Sequence, residues 1–114
     1  MSLLFKYFDL ARRVAILKED RRHFRIGAVG IRRDGVLVAS SNGPTPTPNS
    51  SVHAEARLCR KLDRGSTIYV VRVDRDENYA NARPCISCER IMRVRGVTRV
   101  VYTISEHEYG VIDF

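Results

Sequence analysis

The spacing of apolar and polar positions in the first third of the chain predicts a helix followed by a β-hairpin. Over Leu3–Glu19, apolar residues recur at three- and four-residue intervals, which is typical of an amphipathic helix. Two short apolar runs follow, Ile26–Ile31 and Val36–Ser40, and Arg-Asp-Gly at 33–35 lies between them. An Asp-Gly pair between such runs is a hairpin signal, so both runs are predicted to be strands.

The rest of the chain predicts two further helices and two further strands. Asn42–Ser51 is rich in Pro, Ser, Thr and Asn and is predicted to be a loop. Pro84 suits the first turn of a helix, and Gly96 suits its end. In chain order, the elements after the loop are the helix Val52–Leu62, the strand Thr67–Val73, the helix from Pro84 to about Arg95, and the strand Val97–Thr103.

This order of elements, α-β-β-α-β-α-β, predicts an α/β fold of one domain over residues 1–114. The expected architecture is a three-layer α-β-α sandwich around a mixed sheet of about four strands. No apolar run approaches membrane-spanning length, and Met1–Lys18 lacks the pattern of a secretory signal. We therefore expect a cytoplasmic protein with no membrane partner.

The charge of the chain leaves the nature of its partner open. The formal net charge is +7, and most basic residues are arginines scattered from Arg12 to Arg99. Such a balance suits an anionic partner, either a nucleotide phosphate or a nucleic acid. Because the charge is spread along the chain, a solvated basic surface explains it equally well.

The three cysteines indicate metal or redox chemistry. An odd count argues against a disulfide framework, and Cys59 is expected in the core. Cys85 and Cys88 are predicted to lie one turn apart on one face at a helix N-terminus, where free N–H groups and the helix dipole favour thiolate. That spacing suits a zinc half-site, but a thioredoxin-like redox pair has it too.

His53 and Glu55 favour zinc over redox chemistry. His53 stands near the start of a predicted helix, and helix N-termini that follow neighbouring strands open at the same edge of a sheet. We therefore expect His53 to join Cys85 and Cys88 as a third ligand. Three ligands with an open fourth position are typical of catalytic zinc, and Glu55 would take and return a proton there.

These two motifs resemble those of a known family. His-Ala-Glu at 53–55 followed by Pro-Cys-Ile-Ser-Cys at 84–88 is similar to the signature of the zinc-dependent cytidine/deoxycytidylate deaminase superfamily. The resemblance extends over about residues 3–103 and implies a fold of the cytidine deaminase type, a Zn²⁺ cofactor and a homo-oligomer. Histidine at 53 resembles the branches that act on deoxycytidylate, tRNA adenosine and nucleic acids.

The resemblance also implies residues that bind substrate. Asn42 occupies the place of an asparagine that contacts the substrate sugar in the family, although Asn-Gly is also a common turn pair. The backbone N–H of Ala54 is expected to hold the substrate or a developing oxyanion. Pro84 and Arg83 are expected at the rim of the pocket, with Arg83 either contacting phosphate or serving as a surface residue.

The expected reaction is hydrolytic deamination of a cytosine-type nucleoside or nucleotide, from C to U with release of ammonia. One alternative keeps this chemistry but acts on bases within DNA or RNA. Another is a non-catalytic, zinc-stabilised binding module, which requires a fourth protein ligand such as His107. A C-x-x-C redox protein is a weaker alternative.

The C-terminal segment departs from the larger family members. Ile104–Phe114 is too short for both the final helix and the fifth strand that those members carry. The strand Val97–Thr103 is therefore predicted to have an uncovered edge, which is an association hazard. We expect the segment to pack against a second subunit or to fold over the pocket.

Overall fold

The computed structural model of the chain describes residues 3–16, 25–41, 58–59, 61–74 and 76–114. Leu58 and Cys59 are helical there, as predicted, but Lys61 and Leu62 are not, so the helix predicted over Val52–Leu62 does not extend to its predicted end. The other helices and strands of the described residues are α1 (Leu3–Ile16), β1 (Arg25–Ile31), β2 (Leu37–Ser41), β3 (Thr67–Val73), β4 (Tyr79–Ala80), α2 (Ile86–Arg95), β5 (Arg99–Thr103) and β6 (Tyr109–Asp113).

The strands form one mixed sheet in the order β2-β1-β3-β5-β6, and β4 pairs with β3 beside this path. β3 and β5 are parallel, and the other pairs are antiparallel. α2 makes the crossover between β3 and β5, because two parallel neighbours cannot be joined by a tight turn. The predicted α/β class with a mixed sheet is confirmed.

Helices cover both faces of the sheet and complete the three predicted layers. Alternate residues of a strand point to opposite faces. On one face, Val71 and Val101 are buried against α1. On the other face, Val70 and Val100 are buried with Leu58 and with residues of α2. A Cβ atom on Gly27 would overlap the carbonyl oxygen of Ala11, so α1 lies directly on β1.

The hairpin β1–β2 forms where the Asp-Gly pair predicts it. Gly35 has a φ of 89°, in the left-handed region that glycine adopts without strain. Its N–H donates to the carbonyl oxygen of Arg32 at 2.9 Å, and Asp34 Oδ1 accepts the N–H of Val36 at 3.0 Å. Both bonds are local, so the sequence was sufficient to predict the turn.

The prediction of an uncovered edge on the last predicted strand is wrong, since β6 pairs along the full length of β5. An antiparallel partner needs only a short turn and no crossover helix. That turn is closed by the N–H of Ile104, which donates to the carbonyl oxygen of Glu108 at 2.9 Å. Ile112 and Phe114 pack against the core cluster on the α2 face. The segment therefore extends the sheet beyond the four strands predicted.

Other predicted boundaries shift by a few residues. The strand predicted over Val97–Thr103 begins at Arg99, and the polar segment Asp74–Arg83 contains the short strand β4. The first helix is described as far as Ile16. None of the described helices is long and apolar enough to cross a membrane.

Candidate metal centre

The segment that carries the two motif cysteines lies at the carboxyl edge of the parallel pair β3 and β5. Ala82 donates its N–H to the carbonyl oxygen of Thr103, the last residue of β5, at 2.8 Å. Thr103 Oγ1 donates to the carbonyl oxygen of Ala80 at 2.9 Å. These two bonds fix the residues just before Cys85 against the end of β5. Ligand sites of open α/β sheets lie at this edge.

The start of α2 differs by two residues from the prediction. Cys85 is the N-cap, with φ −72° and ψ 166°, and its carbonyl oxygen accepts the N–H of Glu89 at 3.0 Å. The prediction that Pro84 lies in the first helical turn is wrong, because the N-cap residue keeps an extended backbone and the helix begins only at Ile86. Pro84 is buried just before the cap.

The two thiols occupy different environments within one turn of chain. Cys85 is exposed, whereas Cys88 is fully buried in the core cluster that also contains Cys59 and Met92. No disulfide joins the three cysteines, all of which the structure describes. Cys88 thus packs in the core, while Cys85 is accessible from solvent. Both lie at the N-terminal end of α2.

This donor set fits zinc as one half of a site. Thiolate is a preferred zinc ligand, and a pair of cysteines separated by two residues is a common arrangement for it. The other half is not described, since His53, Glu55, Asn42 and Ala54 lie outside the described residues. Within the described part of the chain, no group of three or more potential metal ligands comes together.

The end of β2 lies at the carboxyl edge of the sheet, and Leu58 and Cys59 lie in the core cluster of Cys88. β2 ends at Ser41, which pairs with Gly27, and Gly27 in turn pairs with Val71 near the end of β3. The end of β2 therefore lies at the carboxyl edge, one residue before Asn42. Further along the chain, Leu58 and Cys59 are buried in the cluster that contains Cys88.

Arg83 and His107, two residues that the sequence suggested for the site, are both described in the structure. Arg83 is exposed, and its backbone N–H donates to Asn81 Oδ1 at 2.9 Å. His107 lies in the β5–β6 turn and does not form a three-ligand group with Cys85 and Cys88, although all three are described. Among the described residues, His107 therefore receives no support as a ligand that joins Cys85 and Cys88.

Arg72 was missed by the sequence analysis. It pairs with Ala80 of β4, and its place in the alternation of β3 puts it on the face of Val70, two residues nearer the carboxyl edge. Its backbone N–H donates to Thr103 Oγ1 at 3.4 Å. Arg72 is half-buried at this strand position, where apolar residues are the rule. The alternation Ile68, Val70, Arg72 could have identified it.

A family comparison decides what kind of protein carries this half-site. A model of the cytidine and deoxycytidylate deaminase zinc-binding region matches residues 1–104. The chain belongs to this family. The match includes both motifs, at 53–55 and at 84–88.

Solved structures agree with this deaminase in fold. A cytidine deaminase from Burkholderia pseudomallei superposes with a TM-score of 0.63 at 22% identity, over 99% of this chain and 93% of that chain. One from Mycobacterium leprae gives a TM-score of 0.61 at 17% identity, over 97% of this chain and 94% of that chain. No curated protein sequence matches the deaminase significantly. The structural likeness at these identities establishes the shared fold.

Proposed function

We propose that this deaminase removes the exocyclic amino group of a cytosine-type nucleoside or nucleotide by hydrolysis. The observation that carries the proposal is the position of Cys85 and Cys88, at the N-terminus of α2 and at the carboxyl edge of β3 and β5. His53, Cys85 and Cys88 would hold Zn²⁺. Zinc in such a three-ligand site supplies a nucleophilic water at neutral pH.

Glu55 is the proton carrier of the proposed reaction. Its carboxylate takes a proton from the attacking water and delivers it to the ring nitrogen while the oxygen bonds to the carbon that bears the amino group. A second proton then passes through Glu55 to the amino nitrogen, the C–N bond breaks, and ammonia leaves. One positioned acid/base group therefore serves both addition and elimination.

Other residues of the chain position the substrate. The Asn42 side chain can both donate and accept a hydrogen bond, as a sugar hydroxyl requires. The Ala54 N–H would bind the substrate or the developing oxyanion. Pro84 and Arg83 would form the rim beside Cys85, with the exposed Arg83 available to a substrate phosphate.

Deamination of a base within DNA or RNA is the second candidate, and one observation favours it. Arg90, Arg93 and Arg95 are all exposed on α2, the helix that begins at the candidate metal centre. A polyanion bound along such a surface gives a steep dependence of affinity on salt, because bound counterions are released. A free nucleotide with one phosphate group gives a shallow one.

The test is ammonia release by the zinc-loaded deaminase from cytosine and adenine nucleosides, nucleotides and oligonucleotides, with Glu55→Gln as the matched inactive variant. We expect release from a cytosine nucleoside or nucleotide, and a loss of at least about 100-fold in Glu55→Gln. Release from oligonucleotides alone would select the second candidate. Absence of release from the whole panel, or undiminished release by Glu55→Gln, would contradict the proposal.

A further inference from the structure

A cavity of about 230 Å³ opens at the carboxyl edge of the sheet, on the side of α1. Its described lining comes from α1, β4 and the turn between β5 and β6. Three aromatic side chains line it, those of Phe8, Tyr79 and Tyr109. Three carboxylates line it as well, those of Asp9, Glu106 and Glu108.

This cavity lies on the opposite face of the sheet from the motif cysteines. Phe8 belongs to the core cluster on the α1 face, whereas Cys88 belongs to the cluster on the α2 face. Tyr109 lies on the α1 face, where its ring meets that of Phe8 at a centroid distance of 6.4 Å. The candidate metal centre and its proposed chemistry therefore do not account for the cavity.

Tyr79 lines the cavity together with the carboxylates of Asp9 and Glu106. Its backbone N–H donates to Glu106 Oε1 at 2.6 Å. Burial, followed by the negative charge of Asp9, raises the pKa of Tyr79, while Arg12 opposes this effect and Glu106 adds to it. The aromatic wall of the cavity therefore lies directly beside carboxylates.

The carboxylates of the lining contrast with the net charge of the chain as a whole. The formal net charge is +7, yet the described lining of the cavity contains three carboxylates, the imidazole of His107 and no lysine or arginine. Beside the cavity, the guanidinium of Arg12 lies 6.0 Å from the centroid of the Tyr79 ring and 3.6 Å from Glu77 Oε2. The same ring thus already interacts with one cation of the protein.

We propose that this cavity binds a small organic cation, an ammonium or guanidinium compound with a compact apolar body. Carboxylates attract the charged group, and aromatic faces stabilise a cation within about 6 Å of the ring centroid. The volume of about 230 Å³ is below the roughly 300–1,000 Å³ of pockets for drug-sized ligands, so the ligand is fragment-sized. This binding is a property separate from deamination.

The probe is benzylammonium chloride, titrated into the full-length deaminase and followed by the amide NMR signals of residues 103–109. Benzyl alcohol and benzoate are the controls, because they keep the ring and change only the charge. We expect saturable shifts with benzylammonium, binding at least about tenfold weaker with benzyl alcohol, and none with benzoate. Equal affinity for benzylammonium and benzyl alcohol would overturn the proposal.

The variant Glu106→Gln/Glu108→Gln should weaken benzylammonium binding about tenfold. Glutamine at position 106 keeps an oxygen that can accept the N–H of Tyr79. If the double variant does not fold, the single variant Glu108→Gln, at an exposed residue, should weaken benzylammonium binding about threefold. Asp76→Asn, an exposed carboxylate outside the lining, is the matched control. Unchanged affinity in the glutamate variants overturns the proposal. The proposal is also overturned if the amide signals of residues 103–109 shift when only the protein concentration is raised, because a second copy of the chain would then fill the cavity.

Discussion

Ala82 donates its N–H to the carbonyl oxygen of Thr103 at 2.8 Å, and this bond joins the segment before Cys85 to the end of β5. The buried Thr103 hydroxyl extends the connection, since it accepts the N–H of Arg72 and donates to the carbonyl oxygen of Ala80. One threonine thus connects β3, β4 and β5 at the edge where the candidate metal centre lies. The segment that it holds leads directly to Cys85.

Thr103→Val should lower both the stability and the zinc affinity of the deaminase. Removing the hydroxyl leaves buried backbone groups unpaired, which costs about 1–3 kcal/mol. Loss of an orienting interaction behind a metal site lowers its affinity about tenfold or more. Urea unfolding and zinc titration with a competing chelator measure the two effects.

Thr98→Val is the matched control for this change. Its hydroxyl donates to the carbonyl oxygen of Ser66 at 3.2 Å, away from the carboxyl edge. It should reduce stability and leave zinc affinity unchanged. Equal losses of zinc affinity in both variants would mean that Thr103 acts only through global stability.

The three cysteines should differ in their effect on zinc content. Cys85→Ser and Cys88→Ser each remove a proposed ligand and should lower bound zinc well below one per chain. Cys59→Ser changes a residue that is 1% exposed and buried beside Cys88, so it should destabilise the core and keep the zinc. Metal analysis of folded protein, checked by circular dichroism, measures this difference. Full zinc content in Cys85→Ser would remove that residue from the ligand set.

Asn42→Ala should reduce turnover without loss of zinc. The loss of one hydrogen bond to the substrate costs about 0.5–1.5 kcal/mol, which is roughly a 2- to 12-fold decrease in kcat/KM. Asn78→Ala, at an exposed asparagine between β3 and β4, is the control and should leave kcat/KM unchanged. An unchanged kcat/KM for Asn42→Ala would reduce Asn42 to a turn residue.

The two faces of β6 should respond differently to truncation of their side chains. Ile112 packs against the core, so Ile112→Ala should lower the free energy of unfolding by about 1–3 kcal/mol. Val111 is 46% exposed on the opposite face, so Val111→Ala should cost less than about 1 kcal/mol. Thermal or urea unfolding of the two variants provides the comparison, and similar losses would contradict the register of β6.

The homo-oligomer remains a prediction, and it now rests on β6 as the edge strand. β6 is the last strand in the sheet order, and Tyr109 and Val111 are exposed on it. An edge strand offers unpaired N–H and C=O groups to another chain. Light scattering of the full-length deaminase and of Val111→Lys should show a smaller mass for the variant, because a lysine opposes strand association. A monomer in both cases would contradict the prediction.

Asp63 should stabilise the deaminase at neutral pH and lose this effect in acid. The N–H of Arg33 donates to Asp63 Oδ1 at 3.2 Å and lowers the pKa of Asp63 below its ordinary value of 3.8, against a smaller opposing effect of desolvation. A lowered folded-state pKa contributes stability above the unfolded-state pKa, and this contribution is lost as the pH falls through the folded-state pKa.

Asp63→Asn should therefore be less stable than the parent protein at pH 7, and the difference should shrink below about pH 4. Urea unfolding at pH 7, 4 and 3 tests this trend. Asp76→Asn is the exposed control and should change stability little at each pH. A difference between Asp63→Asn and the parent that does not change with pH would show that the carboxylate charge is not the cause.

The sequence by itself determined the elements that rest on local chemistry. The strand Thr67–Val73 is observed with the predicted bounds, and Gly96 ends α2 with a φ of 86°. Alternation, positive φ and turn residues act over a few neighbouring positions, so no distant partner is needed to specify them. Cys59 was likewise expected in the core from its helical spacing, and it is buried there.

Only the tertiary structure decided the features that depend on distant segments. β6 is short and exposes alternate residues, and it becomes a strand because β5 offers it a free edge. Cys85 is the N-cap of α2, and the bonds to Thr103 hold the residues that precede it. The cavity beside α1 joins Asp9, Tyr79 and Glu106, which are far apart in sequence. Hydrogen bonds and packing between remote segments bring such residues together, and local spacing does not encode them.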